Sequence, residues 1–405
     1  MKKQHRVIAA AALLTGALMS AAAARAEISD DVVKLGVLTD MSGVYSTNSG
    51  AGMVLATEMA VEDFGAKVRG KPIKVISGDH QNKADVGSNL ARKWIDTEQV
   101  DVIVDAIGSA VAFAVQNLAK DKNRVLLNIG SGAADLTGPA CNAVSVQWVW
   151  DTYAFGGIIG NALVERGKDT FFFLTVDYAY GEQLQRDMSR AILAAGGKVV
   201  GSVKHPLGTA DFSSFLLQAQ SSKAKVVALA NAGNDTANAL KQAAEFNLRA
   251  AGQDFAAIAG LHEVRAIGLA SAQGLLSPVS WYWDLDDQTR AFAKRFFDRR
   301  GAMPSEFQAG AYSAVLHYLK AVDAADSDEA QAVVRKMKAL PVSDFFARNA
   351  SLREDGRMVH DMYLVQAKSP AESRDAWDVL KVVQTIPGDK AFRPLKDGNC
   401  PLVAK

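Results

Sequence analysis

From residue 32 onward, short apolar runs alternate with amphipathic stretches, and this alternation limits the fold more than any other feature of the chain. "VVKLGVL" (32–38) reads as a strand. "GAGMVLATEMAVEDF" (50–64) reads as a helix, with Met53, Ala56, Met59, Ala60 and Phe64 on one face. "IKVISGD", "VDVIVDAI" and "RVLLNI" are the next strands, separated by "KADVGSNLARKWIDT" and "SAVAFAVQNLAK" as helices. Strands that are apolar on both faces must be covered on both faces, which predicts a parallel sheet between helix layers.

The same grammar restarts near residue 150. "TFFFLTVD" (170–177), "KVVGSVKH" and "AKVVALAN" read as strands, with "FAAIAG" and "GLLSPVS" following. After about residue 284 the chain is more helical, and "ASLREDGRMVHDMYLVQAK" reads as a hairpin turning at Asp355-Gly356. No Pro- or Gly/Ser-rich linker separates the halves. The expected fold is therefore α/β, with two doubly wound parallel-sheet lobes joined by several crossings. Lobe 1 is expected to hold residues 27–149 plus 284–348, and lobe 2 residues 150–283 plus 349–405.

Residues 1–26 read as a signal peptide. Lys2, Lys3 and Arg6 precede an apolar run from Val7 to Leu18, and "ARA" (24–26) is a small-x-small cleavage signal, placing cleavage after Ala26. The run is short for a bilayer span of roughly 20 residues. An exported, periplasmic, monomeric protein is expected, with no membrane insertion after cleavage. The leader carries four Lys/Arg and no acid, so its loss takes the formal charge from +1 to −3. That balance argues against a nucleic-acid partner. In an oxidising compartment Cys141 and Cys400 are expected to pair, although two separate thiols fit the sequence too. Pairing would close a loop of about 260 residues and stabilise the chain by roughly 5 kcal/mol in the chain-entropy model.

Catalytic patterns are weak. The histidines form no HExxH, and there is no G-x-S-x-G elbow or Walker loop. The Gly130-x-Gly132 pair lacks the third glycine of a dinucleotide turn, with Asp135 in its place. No cofactor, no metal and no enzymatic activity are expected.

In open α/β sheets, ligands lie beyond the carboxyl ends of the strands. Those positions hold "TDMSGVYSTNSGAG" with Tyr45, "IGSAVA" with Ser109 opening a helix, and "GSGAAD" with Ser131 and Gly132. In the second half they hold "DYAYGE" with Tyr180 and "NAGNDT" with Asn231. His262 opens a helix in "LHEV", and "WYWD" (281–284) begins with Trp281. Hydroxyls, amides and helix N-termini among aromatic rings suit a small anion with an apolar or aromatic body. Plainer readings stand beside this one: Ser109 as a helix cap, Ser42-Gly43 as a turn, His262 as a cap or core histidine, and at least one ring of "WYWD" as core.

In order and spacing, "VKLGVLTDMSGVYS", "GKPIKVISGDHQNKADVG", "VDYAYGEQL", "ALANAGNDTANALKQAAEFNL", "GLLSPVSWYWDLDDQTRAFAKRF" and "EDGRMVHDMYLVQAK" resemble the type I periplasmic binding proteins. Within them they resemble the leucine/isoleucine/valine-binding receptors of ABC importers. The resemblance covers essentially the whole mature chain. It implies two lobes that close over a ligand and a membrane permease that reads the closed form. It implies that Ser109, Ser131 and Gly132 receive a carboxylate, although relatives often carry threonine at the Gly132 position. It implies that Tyr180 covers the ligand and that the loop from Asn231 to Asn234 meets its ammonium side. Amino-acid binders place an acidic residue in the "LHEV" region, where this chain has His262 with Glu263 beside it. If His262 faces the cleft, aromatic or short aliphatic carboxylates are implied, with Trp281 to Trp283 suited to a ring. If Glu263 faces it, branched-chain amino acids are implied; Asp151 and Asp235 are other sources of the acid. The partners implied are a small carboxylate and an inner-membrane ABC permease. A sensing module for a chemoreceptor or sensor kinase is the alternative, ahead of a nucleotide-cofactor enzyme.

Overall fold

The computed structural model describes residues 28–348 and 350–404, so the expected leader and its cleavage after Ala26 lie outside the described residues. The first lobe is built from β1 (Val33–Thr39), α1 (Gly50–Phe64), β2 (Lys67–Val68), β3 (Lys71–Asp79), α2 (Ala84–Lys93), β4 (Val102–Asp105), α3 (Ser109–Lys122), β5 (Val125–Asn128) and β6 (Ser145–Gln147). Its sheet has the order β2-β3-β1-β4-β5-β6 and is parallel apart from the β2–β3 hairpin. Side chains alternate between its faces. Val102, Val104, Val125 and Leu127 pack with Met53, Ala56 and Met59 of α1. Ile103 and Leu126 pack on the opposite face with Trp94, Val111 and Val115. Each such buried Val or Leu stabilises the lobe by about 1.5–3 kcal/mol.

The second lobe follows with α4 (Thr152–Val164), β7 (Thr170–Val176), α5 (Ala179–Ala194), β8 (Lys198–His205), α6 (Ser213–Ser221), β9 (Val226–Ala230), α7 (Asn234–Glu245), β10 (Asp254–Ala256), α8 (Leu261–Ile267), α9 (Leu269–Ala272) and β11 (Leu276–Val279). Three helices then return to the first lobe: α10 (Asp287–Arg300), α11 (Glu306–Ala325) and α12 (Ala330–Ala339), with α10 and α11 packed on α1. Ser305 starts α11 through a capping box with Gln308, and Ser305 Oγ also donates to Asn48 O at 2.6 Å.

The hairpin expected at 350–368 is split. Only β12 (Ser351–Leu352) and β13 (Met358–Val359) pair across Asp355-Gly356, beside the first lobe, where Arg357 bridges Gln147. The following strand, β14 (Met362–Ala367), joins β15 (Leu380–Ile386) in the second sheet, whose order is β15-β14-β11-β10-β9-β7-β8. The tail then comes back: Arg393 Nη2 donates to Ala134 O, and Cys400 is bonded to Cys141 with the Cα atoms 5.6 Å apart. Of segment 349–405, Arg357 and Cys400 therefore lie against lobe 1, where lobe 2 was the expectation for the whole segment, because a bridge to Gln147 and a disulfide across 259 residues hold them there.

Fully buried Arg357 ties the hinge crossings together. Its guanidinium donates to Val149 O and Met358 O and lies 3.6 Å from Asp151 Oδ2. A charge this deeply buried needs such partners, since leaving it unpaired costs several kcal/mol.

Candidate ligand-binding cleft

In the first sheet the chain departs from β1 to opposite sides, to β3 and to β4; in the second it departs from β7 to β8 and to β9. Each reversal opens a crevice at the strand ends. The two crevices face one another, and a cavity of about 30 Å³ lies between them. The first lobe contributes Tyr45, Asn48, Ile107, Gly108, Ser109, Gly130, Ser131 and Gly132. The second contributes Tyr178, Tyr180, Ala232 and Ile258, while Trp150 and Phe307 come from the crossing and the start of α11.

Ser109 is the first residue of α3, so its hydroxyl stands at the positive end of that helix. Ser131 Oγ lies 3.2 Å from Ser109 Oγ, and both residues are buried. Asn128 orders the loop, accepting from Ser131 N at 3.3 Å. Only a residue without Cβ fits at Gly132, where a Cβ would come within 2.5 Å of the Trp150 ring. That leaves the side-chain hydroxyl of this loop to Ser131.

Aromatic rings form the rest of the wall. Trp150 packs against Phe307 and Tyr180, with centroids 5.7 and 6.5 Å away. The Tyr45 and Tyr178 hydroxyls bond across the cleft. Burial raises both phenols above their ordinary pKa. The buried Tyr180 hydroxyl has no hydrogen-bond partner among the described residues.

A second cavity, of about 20 Å³, adjoins the first and shares Asn48, Ile258 and Phe307 with it. His262, Glu263, Trp281 and Glu306 line it. Glu263 is buried, and its Oε1 accepts from Asn48 Nδ2 at 2.6 Å, so the pair joins the two lobes. Glu306 accepts from Trp150 Nε1 at 2.8 Å and from Ser280 N at 2.5 Å. Burial raises the Glu263 carboxyl and pushes Glu306 up to about 8. No Lys, Arg or His forms a salt bridge with either carboxylate among the described residues. Beyond the cavities, further contacts cross the cleft. Arg186 of α5 holds Asp135 through both terminal nitrogens at 3.2 and 3.1 Å. Gly233 sits where a Cβ would come within 2.6 Å of Val44 O.

Of the residues singled out in the sequence, Tyr45, Ser109, Ser131, Gly132 and Tyr180 thus meet in one cavity. His262 and Trp281 line the neighbouring one. Asn231 lines neither: its amide is taken up by His205 Nε2 at 3.0 Å and Thr236 Oγ1 at 2.8 Å, and its neighbour Ala232 reaches the cleft instead. Asp151 caps α4 through Ala154 N, and Asp235 accepts from Gly208 N. Trp150, Phe307 and Glu306 were not singled out; the Ser305-x-x-Gln308 capping signal was the available clue to the last two. No group of three or more His, Cys, Asp or Glu side chains suited to a metal ion occurs among the described residues. No helix among them is long and apolar enough to cross a membrane.

The periplasmic binding protein family matches residues 32–373, and the chain belongs to that family. Its family and fold are those of solute-binding proteins. A periplasmic binding protein from Burkholderia mallei is 46% identical with a TM-score of 0.90, covering 92% of this chain and 99% of that one. A branched chain amino acid ABC transporter periplasmic ligand-binding protein from Burkholderia xenovorans is 41% identical with a TM-score of 0.82, covering 91% and 99%. Leu/Ile/Val-binding protein homolog 6 of Brucella melitensis is 24% identical over 224 residues, or 55% of this chain, and the chain spans only 57% of its length.

Proposed function

We propose that the chain is the periplasmic receptor of an ABC importer, a monomer that captures a small carboxylate between its lobes and passes it to an inner-membrane permease. The observation that carries this reading is the Ser109–Ser131 hydroxyl pair at a helix N-terminus, buried in an aromatic cavity between two lobes. A carboxylate there meets donors and a helix dipole without needing a basic residue. Tyr45, Ser109, Ser131, Gly132 and Tyr180 are the contact residues in this account.

The ligand favoured is an α-amino acid. Glu263, on the wall of the second cavity and hydrogen-bonded to Asn48, which both cavities share, is a buried carboxylate with no basic salt-bridge partner among the described residues, and a ligand ammonium would supply the missing charge. The Burkholderia xenovorans relative, described as a branched-chain amino acid receptor, supports the same class. An aromatic acid is the second reading, favoured by the rings of Tyr45, Trp150, Tyr178, Tyr180 and Phe307.

A thermal-shift panel of amino acids and of aromatic and aliphatic acids tests the proposal. A true ligand at a hundred times its Kd should stabilise the protein by about 2.7 kcal/mol. A flat response across all carboxylates would overturn the carboxylate reading. Undiminished uptake of the ligand in a deletion strain would move the role from import to sensing.

A further inference from the structure

Two side chains that line the second cavity carry buried polar atoms without partners among the described residues. Trp281 is only 3% exposed, and its Nε1–H finds no acceptor among the described residues. His262 Nε2 is buried and unpartnered too. Burial lowers His262 to about 4, so the ring is neutral near pH 7, and in the tautomer with its N–H on Nδ1 the free Nε2 is an acceptor. The other polar groups of the indole cluster are engaged: the Tyr282 hydroxyl and Trp283 Nε1 both donate to Trp377 O. Leaving a buried donor and a buried acceptor unmet costs each its full desolvation penalty.

One donor and one acceptor on the wall of a single cavity call for a guest that offers one of each. A primary carboxamide does so: its carbonyl takes the indole N–H, and its NH2 donates to the imidazole. A hydrocarbon end would leave both atoms unmet. A carboxylate end would add a third acid beside Glu263 and Glu306. An ammonium end would have nothing to offer Trp281.

We infer that the cavity lined by Trp281 and His262 is a specificity subsite for the far end of the ligand, and that the ligand is an amino acid ending in a carboxamide. The inference rests on the carboxylate-receptor reading above and narrows it. The ligand's carboxylate lies at Ser109 and Ser131, its ammonium at Glu263 beside the shared Asn48, and its side-chain amide farther into the second cavity.

Calorimetric titration with near-isosteric pairs tests this: L-asparagine against L-leucine, and L-glutamine against 2-amino-5-methylhexanoic acid. In at least one pair the amide should bind about ten-fold tighter or more, as expected for two buried hydrogen bonds. Trp281→Phe, which keeps a ring but removes the N–H, and His262→Phe should each bring that ratio toward one. Equal or tighter binding of both hydrocarbon members overturns the inference with the unaltered protein alone. So does an amide preference that survives both substitutions. If neither pair binds but benzoate does, the amide subsite and the amino-acid class fall while the carboxylate receptor stands. If no carboxylate binds, the receptor reading itself falls.

Discussion

The two lobes bring the same architectural feature to the cleft, the carboxyl ends of parallel strands on either side of a reversal in strand order, yet they deliver different chemistry there. The first lobe presents Gly108, Ser109, Gly130, Ser131 and Gly132, small residues that let main chain and hydroxyls come close to a guest. The second presents Tyr178, Tyr180, Ala232 and Ile258, which remove water, together with Glu263 at the margin. The first wall suits the recognition of an anion by dipoles. The second suits desolvation and a single buried charge. Neither wall is complete alone, so under the proposed function tight binding requires closure; the contacts Tyr45–Tyr178, Asn48–Glu263 and Asp135–Arg186 span the cleft.

This division of labour can be broken one wall at a time. The largest effect is expected on the second wall. Glu263→Gln should weaken amino-acid binding by about 3–5 kcal/mol in titration calorimetry, because it leaves a buried ammonium unpaired. It should affect acids without an amino group far less. Equal losses for both kinds of ligand would show that Glu263 acts through Asn48 and not on the guest. On the first wall, Ser109→Ala should cost about 1–3 kcal/mol with every carboxylate, whatever its other end. A loss confined to amino acids would place the carboxylate elsewhere. The smallest effect is expected for Arg186→Met. Arg186 is half exposed, so its bond to Asp135 contributes at most about 1 kcal/mol to closure, and its effect should fade as salt is raised. A loss of tens-fold that persists in high salt would make the bridge a true latch.

The contrast also explains what could be read from the sequence. Helix α1 spans the same residues, 50–64, that its periodic face predicts, since that signal is local. Tyr45, Ser109, Ser131, Gly132 and Tyr180 come together because each follows a strand by a few residues, and strand ends fix their place. Misreadings arose where a distant segment decides. The strand after Asp355-Gly356 extends a sheet whose partner, β11, lies more than eighty residues earlier. Asn231 looks free in "NAGNDT", but His205 at the end of β8 claims its amide. "WYWD" and "LHEV" announce polar rings and a histidine, yet nothing in their spacing shows that Trp281 and His262 share one cavity beside Glu306.

The central claim concerns orientation, with the ligand's acid end on the first wall and its cationic end on the second. A crystal structure grown with the panel member that stabilises the protein most tests it directly. The account predicts a carboxylate within hydrogen-bond distance of Ser109 Oγ and Ser131 Oγ, and an ammonium within reach of Glu263. A ligand reversed in the cleft, or bound away from Ser109 and Ser131, would contradict it.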